Sequence, residues 1–303
     1  MELKAKDVSI IIVNYNTLST TRDCIESIID KTQEVTYEII LVDNASEDGS
    51  KEYFENDKRI IYIYHHENLG FGRANNLGLE HAGGRNILFL NPDTKLINNA
   101  VKILGAYLDQ HPDVGACGGN LFDKSFKPAI SFKRIFPGLK DEISNFLFHI
   151  PEKVIYNKSW YFNFSDRDID AAYISGADLM IRHSVLQEVG SFSSDFFMYY
   201  EETDLCMRIH RAGYKIKSIP QAQIQHLEGQ SFQNSVNTRR IKISEESRNI
   251  FYRRNYSKGY HKIANMIYCL TLLFHQAVYS LFQRTAKVET CKFIRNTLSD
   301  LNQ

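Results

Sequence analysis

Carboxylate and amide side chains follow four apolar segments of this chain that are predicted strands. VSIIIVNYN ends at Asn14 and Asn16, YEIILVDNAS at Asp43 and Asn44, RIIYIYHHEN at Glu67 and Asn68, and NILFLNPD at Asn91 and Asp93. In an open parallel sheet the carboxyl ends of the strands line one crevice, and ligands bind in that crevice. The pattern therefore predicts a binding site for a charged ligand along one edge of a sheet.

The segment FLNPD (89–93) is the sharpest of these strand ends. Asp93, with Asn91 two residues before it, offers hard oxygen ligands to a divalent cation that also holds a diphosphate. The alternative is an Asn-Pro turn in which Asp93 caps the next helix. Asp43 ends another strand, a position where a carboxylate commonly accepts hydrogen bonds from a nucleoside.

Three acids stand at the predicted start of a helix in FFMYYEETDLCMRIHRAG (196–213): Glu201, Glu202 and Asp204. Acids at this position are stabilised by the helix dipole, which is a purely structural explanation. The functional explanation is that one carboxylate, beside Phe and Tyr side chains that raise its pKa, serves as a general base. His226, after a later strand, is either a metal ligand or an ordinary hydrogen-bonded histidine.

Strands and helices alternate from residue 8 to about 118. The pattern predicts strands at 8–13, 37–43, 59–64, 86–90 and 114–118, and helices at 17–30, 48–56, 71–82 and 98–110. Near-continuous apolar strands between helices indicate an α/β fold with a mostly parallel sheet covered on both faces. Residues 120–172 are less regular and are predicted to shape a pocket or to contact a partner. Further on, helices are predicted near 184–189, 202–212 and 239–256, and a strand at 215–220.

Two other nucleotide-binding classes are disfavoured. Gly70 to Asn75 resembles GxGxxG without its last glycine, but it follows the third strand, and the first turn, NYNTLST, contains no glycine. A Rossmann dehydrogenase needs glycines in that first turn so that the backbone can approach a pyrophosphate. A nucleotidyltransferase normally needs a glycine-rich basic loop at the same place, which leaves only analogy of fold in its favour.

Composition and charge limit the classes of binding partner and the cellular compartment that we expect for this protein. The chain has 36 basic and 36 acidic residues, and this zero net charge argues against nucleic acid as a general partner. Residues 239–303 carry twelve Lys or Arg and four acids, so this tail has a net charge of +8 and the remainder −8. The five cysteines include no CxxC pair, and the first residues offer no apolar signal segment, so a reducing cytoplasm is expected.

An uncharged stretch, Ile263–Gln283, lies inside the basic tail. Its 21 residues are enough to span a bilayer, and Ile263, Leu270 and Phe274 belong to an apolar stripe at helical spacing. We expect a helix that lies in the membrane interface, held by the flanking basic residues to anionic lipid. A packing or homodimer helix and a membrane span are the alternatives.

Taken in order, several segments resemble family-2 glycosyltransferases of the GT-A fold, in the bacterial rhamnosyltransferase-like branch. They are VNYN (13–16), VDNASEDGS (42–50), ENLGFGRANNLGL (67–79), FLNPD (89–93), SGADLMIRHSVLQEVGSF (175–192), DFFMYYEETDLCMRIHRAGYKI (195–216) and HLEGQS (226–231). The resemblance implies a Rossmann-like GT-A domain at 1–237 that binds a nucleotide sugar. A basic, partly amphipathic helical extension would then occupy 238–303.

The resemblance also assigns roles to single residues. It implies inverting transfer of a sugar from a nucleoside-diphosphate donor, assisted by Mg²⁺ or Mn²⁺. Asn91-Pro92-Asp93 occupies the place of the DxD motif, so Asp93 and His226 would hold the metal. Glu202 falls on the position of the base, with Glu201 and Asp204 as alternatives. The donor-binding residues would be Asn14, Asn16, Asp43, Asn44, Arg73 and Asn91.

The implied acceptor is a glycan or a lipid-linked saccharide in cell-surface polysaccharide synthesis, at the cytoplasmic face of the plasma membrane. A processive synthase is disfavoured because the lone Trp160 is not in a QxxRW motif. Asn91 and Glu202 keep one alternative open, a catalytically impaired module that binds a nucleotide or a glycan without turnover.

Overall fold

The computed structural model describes residues 6–157, 159–227 and 238–301. The first part of the chain contains β1 (Val8–Asn14), α1 (Leu18–Lys31), β2 (Tyr37–Asn44), α2 (Ser50–Phe54), β3 (Ile61–His65), α3 (Phe71–Leu79), β4 (Asn86–Leu90), β5 (Thr94–Leu96) and α4 (Ala100–Gln110). The middle part contains β6 (Val114–Phe122), β7 (Phe132–Lys133), α5 (Leu139–Phe146), α6 (Ile150–Ile155), β8 (Ile169–Asp170), β9 (Tyr173–Ile174), β10 (Asp178–Arg182), α7 (His183–Val189), α8 (Glu201–Arg211) and β11 (Lys215–His226). Three helices follow: α9 (Thr238–Asn255), α10 (Lys258–Leu281) and α11 (Thr285–Leu301).

The predicted α/β sheet is confirmed. Its strand order is β3-β2-β1-β4-β10-β6-β11-β5, with β8 paired to β11, and β7 and β9 form a separate ribbon. The pairs β2–β3, β1–β2, β1–β4 and β6–β11 are parallel. β10 runs antiparallel between β4 and β6, which the sequence pattern did not predict.

Helices cover both faces of the sheet because successive strand residues point to opposite sides. Ile10 and Ile12 of β1 belong to the main core together with side chains of α1 and α4. Ile11, between them, faces α3: a Cβ atom added to Gly78 of that helix would lie 2.6 Å from its Cγ2 atom. Glycine at position 78 therefore lets α3 lie directly on β1.

Strands of both directions bring the predicted site residues to one edge. β10 begins where β4 ends, since Asp178 pairs with Leu90. β11 runs parallel to β6 and ends at His226, which pairs with Thr94 of β5. The residues after β4, before β10 and at the end of β11 therefore share one side of the sheet.

The chain divides into two compact units. The first contains residues 1–134, 158–194 and 201–228, and the second contains 135–157, 195–200 and 229–303. In the second unit, Arg248 and Glu142 form a buried ion pair, and the ring of Tyr268 lies 4.2 Å from the Arg248 guanidinium carbon. The boundary predicted at 237/238 remains a prediction.

Candidate active site

Ser46 holds together the ends of β1 and β2. Its Oγ accepts hydrogen bonds from Asn14 Nδ2 at 3.1 Å and from the backbone N of Asn16 at 3.0 Å. Its own backbone N donates to Asp43 Oδ1 at 2.9 Å. Asp43 Oδ2 accepts a hydrogen bond from Tyr62 Oη at 2.8 Å, and the carboxylate is fully buried. Three predicted donor-binding residues are therefore joined, and Asn16 is the exposed one.

Asn44, the last residue of β2, contacts the loop that leads into α3, and Arg73 lies on the first turn of that helix. Asn44 Oδ1 accepts from the backbone N of Leu69 at 2.8 Å, and its Nδ2 donates to Asn68 Oδ1 at 2.9 Å, which fixes the loop before the helix. Arg73 is exposed on the first turn of α3.

Asp93, His226 and Asn91 form a second group. His226 Nε2 lies 3.1 Å from Asp93 Oδ1 and 3.4 Å from Asn91 Nδ2, and the imidazole is nearly buried whereas the Asp93 side chain is 28% exposed. The backbone N of Leu227 donates to Asp93 O at 2.9 Å, which ties the chain after β11 to this residue. A carboxylate oxygen and an imidazole nitrogen at this separation fit two ligands of one divalent cation. The Asn91 atom beside the imidazole is the amide nitrogen, which is not a metal ligand. HLEGQS is only partly visible, since Glu228 to Ser231 lie outside the described residues.

Glu202 lies in the first turn of α8, beside Phe71 of α3. A Cβ atom added to Gly176 would lie 3.7 Å from Glu202 Cγ and 3.6 Å from Phe71 Cε1. Solvent reaches part of the residue, but protein surrounds its carboxyl group, and this desolvation raises the pKa of Glu202. Thr203 Oγ1 donates to the carboxylate at 3.2 Å. The carboxyl group of Glu202 therefore lies in a desolvated position next to α3.

The backbone before α8 has an uncommon conformation. Tyr199 and Tyr200 have φ angles of 72° and 68°, in the left-handed region that non-glycine residues rarely adopt. Backbone strain of this kind is concentrated at functional sites.

The other two acids of α8 lie deeper. Glu201 is 3% exposed, and its Cβ faces Gly72 of α3. Asp204 accepts a hydrogen bond from Arg208 Nε at 3.0 Å, and Arg208 donates in turn to the backbone oxygens of Val189, Gly190 and Ser191. Asp204 thus helps to attach the loop after α7 to α8.

A short path of contacts joins the Glu202 region to the Asp93 group. The backbone N of Asn91 donates to Ala177 O at 3.0 Å, and Ala177 follows Gly176, the residue beside Glu202. Asp93 and Glu202 therefore lie on the same edge of the sheet.

Asp178, the first residue of β10, was not among the predicted site residues. It is fully buried, its Oδ2 accepts from the backbone N of Gly119 at 2.6 Å, and desolvation raises its pKa well above the usual value. An acid directly before the apolar run LMI (179–181) was the signal in the sequence. Its Oδ1 atom has no hydrogen-bond partner among the described residues.

The second unit contains another group able to ligate a metal. The ligand atoms of Asp141, His149 and Glu152 lie within 4.8 Å of one another. None of these residues was predicted from the sequence.

Comparison with known proteins agrees with this arrangement. Residues 9–190 match the family described as "Glycosyl transferase family 2", and residues 144–285 match "Glycosyl transferase family group 2". The chain is 28% identical to the rhamnosyltransferase WbbL of Escherichia coli over 70% of its length and 80% of that protein. It is 24% identical to the dTDP-rhamnosyl transferase RfbF of Shigella flexneri, over 72% of this chain and 68% of that protein.

Solved structures show the same fold. Staphylococcus aureus TarS 1–349, solved with UDP-GlcNAc, superposes with a TM-score of 0.57 at 16% identity, covering 97% of this chain and 80% of the TarS chain. GalNAc-T7, solved with UDP, GalNAc and Mn²⁺, gives 0.56 at 16% identity, covering 83% of this chain and half of the other.

The family match covers more than half of the chain, and the fold and strand-end residues agree with it. The protein therefore belongs to glycosyltransferase family 2, with the bacterial rhamnosyltransferases among its relatives.

Proposed function

We propose that this protein is an inverting, metal-dependent glycosyltransferase. It moves a sugar, rhamnose or another hexose, from a nucleoside diphosphate to a glycan or lipid-linked acceptor in cell-surface polysaccharide synthesis. The observation that carries this proposal is the shared edge: the Asp93–His226 pair and Glu202 are joined through Asn91, Ala177 and Gly176.

Each group has a role in a single displacement. The ends of β1 and β2, with Arg73, hold the nucleoside. Asp93 and His226, with Asn91 beside them, would hold Mg²⁺ or Mn²⁺, which would supply charge neutralisation for the departing diphosphate. Glu202 accepts the proton of the acceptor hydroxyl as that oxygen attacks the anomeric carbon. This mechanism requires no nucleophile from the protein.

The test is a panel of nucleotide sugars, including dTDP-rhamnose and UDP-GlcNAc, with Mg²⁺, Mn²⁺ or EDTA. Cation-dependent thermal stabilisation by one donor, followed by its turnover, is expected. Binding without hydrolysis or transfer under any of these conditions would instead indicate the impaired nucleotide-binding module.

Membrane contact through α10 forms a second part of the proposal. No helix in the described ranges is long and apolar enough to cross a bilayer. α10 nevertheless exposes Ile263, Met266, Leu270 and Leu273, each at 47–58%. The basic residues that flank this row would attract anionic lipid at the inner face of the plasma membrane.

Sedimentation with vesicles containing anionic phosphatidylglycerol tests this contact. The full chain should cosediment, and the Met266→Gln/Leu270→Gln variant should remain in the supernatant. Equal sedimentation of both would remove α10 as the contact surface and leave the homodimer alternative for its exposed face.

A further inference from the structure

Trp160, the only tryptophan of the chain, forms a small aromatic and cationic surface with its neighbours. Lys133 Nζ lies 4.5 Å from the centroid of its ring, and Tyr161 meets it edge-on with 4.9 Å between centroids. All three side chains are partly exposed. We call Lys133, Trp160 and Tyr161 the aromatic platform.

A third aromatic side chain extends the aromatic platform. Phe164 is 47% exposed, and its ring meets that of Tyr161 edge-on with 6.4 Å between centroids. Phe164 packs on the buried ring of Phe162, 4.7 Å between centroids, so its position is fixed by the core although one side is open. Clustered exposure of this kind is typical of a binding surface rather than of scattered surface residues.

Backbone hydrogen bonds connect the aromatic platform to the segment that lies against Glu202. The backbone N of Ser131 donates to Tyr161 O at 2.9 Å, and the backbone N of Ser175 donates to Ser131 O at 2.9 Å. The next residue, Gly176, is the one that lies against Glu202. The path from Trp160 to the candidate base therefore crosses two adjacent backbone segments.

The aromatic platform lies on the far side of β4 from the donor residues. Lys133 pairs with Tyr173, a few residues before β10, whereas Asn14 and Asp43 end β1 and β2. In a displacement with inversion, the acceptor approaches the anomeric carbon opposite to the leaving diphosphate. The candidate base Glu202 has to lie on the side from which the acceptor hydroxyl attacks, so an acceptor subsite is expected close to Glu202.

We propose that the aromatic platform is the acceptor subsite and that an acceptor sugar ring lies against Trp160. A pyranose has a face of C–H groups and a rim of hydroxyls, and an aromatic ring with a neighbouring cationic donor complements both. Lys133 donates to a hydroxyl at that rim. This inference rests on the proposed function and specifies its acceptor as a saccharide bound through a ring face.

The single tryptophan provides a direct probe. The native chain is titrated with methyl glycosides of glucose, galactose, N-acetylglucosamine and rhamnose while Trp160 emission is recorded. At least one glycoside should change the emission saturably. Absence of a saturable change with every glycoside would overturn the proposal.

Kinetics separate the acceptor subsite from the donor site. Trp160→Ala should raise the acceptor KM about tenfold, as expected for the loss of one stacking contact, and Trp160→Phe should restore most of the affinity. Donor KM and donor hydrolysis without acceptor should remain unchanged in both. Tyr53→Ala, which removes an aromatic side chain that is 48% exposed on α2, is the matched control.

The aromatic platform would not be the acceptor subsite if Trp160→Ala left the acceptor KM unchanged, or if it raised the donor KM equally. Either result would leave the assignment as a transferase intact. If Trp160→Ala fails to fold by circular dichroism, the Trp160→Phe and Lys133→Met variants provide the same comparison. If the native chain neither hydrolyses nor transfers any nucleotide sugar, the proposed function itself fails.

Discussion

His226 Nε2 lies 3.1 Å from Asp93 Oδ1, so the last residue of β11 meets the loop that follows β4. The nearly buried imidazole limits the positions that the more exposed carboxylate can take. A cation placed between them would be held against the same edge of the sheet as Glu202.

The first prediction concerns this pair. Asp93→Ala should abolish cation-dependent donor binding and lower kcat/KM for transfer by about 10²–10³-fold, because the leaving charge loses its main stabilising group. Isothermal titration of donor with and without Mn²⁺ measures the effect. Asp30→Ala, which removes an exposed acid on α1, is the control. Unchanged Mn²⁺-dependent binding in Asp93→Ala would remove this residue from the metal site.

Glu202→Gln is the second prediction. The variant should bind donor as the native protein does and lose transfer by about 10²–10⁴-fold, since an amide cannot accept the acceptor's proton. Single-turnover transfer and donor titration measure the two properties. Full transfer activity of Glu202→Gln would indicate Glu201 as the base instead. In that case Glu201→Gln should lose transfer.

The pH dependence of transfer is the third prediction. Because burial raises the pKa of Glu202, a larger share of this carboxyl group is protonated in mildly acidic solution than for an ordinary glutamate. A base must be deprotonated to act, so kcat should rise with pH through a midpoint above the usual glutamate value. The acidic limb should be absent from the residual activity of Glu202→Gln.

Asp204 is expected to act on stability rather than on chemistry. Asp204→Asn weakens the charged hydrogen bond to Arg208 and should lower the free energy of unfolding by about 1.5–3 kcal/mol. Urea denaturation measures this free energy of unfolding. Glu202→Gln, a substitution in the same helix, is the control and should be nearly as stable as the native protein. A stable Asp204→Asn variant without transfer activity would instead make Asp204 a candidate for the base.

The alternation of strands and helices was readable from the sequence because each element has its own apolar period. β4 was predicted at 86–90 and is found at Asn86–Leu90, and the helix predicted at 17–30 is found at Leu18–Lys31. The middle region was not readable, since β7, β8 and β9 have two residues each and depend on tertiary pairing. The strand predicted at 215–220 continues to His226 because its second half, QAQIQH, is buried at alternate positions.

Strand ends identified the candidate site, but the sequence could not rank the three acids of α8. Only the packing shows that Glu202 lies beside Gly176 whereas Asp204 faces Arg208. The spacing of Asp204 and Arg208, four residues apart, was the available signal for an ion pair within one helix. The roles of the site residues remain predictions.

Asp178 gives the fifth prediction, on stability. Its raised pKa means that the folded chain binds this proton more tightly than the unfolded chain. The stability contributed by Asp178 is therefore present below the ordinary aspartate pKa and declines as the pH rises above it. Asp178→Asn should gain stability relative to the native chain as the pH rises from 4 to 8, measured by urea denaturation at each pH. Parallel curves would show that burial does not hold Asp178 neutral.

Asn91 has an amide where a second carboxylate would otherwise stand next to Asp93 and His226. The group of Asn91, Asp93 and His226 therefore presents one formal negative charge to a hydrated ion instead of two, and we expect weak affinity for the free ion. The diphosphate would supply the missing charge, so ion and nucleotide sugar would arrive as one complex and depart together after turnover. Release of the spent nucleotide would then empty both positions at once.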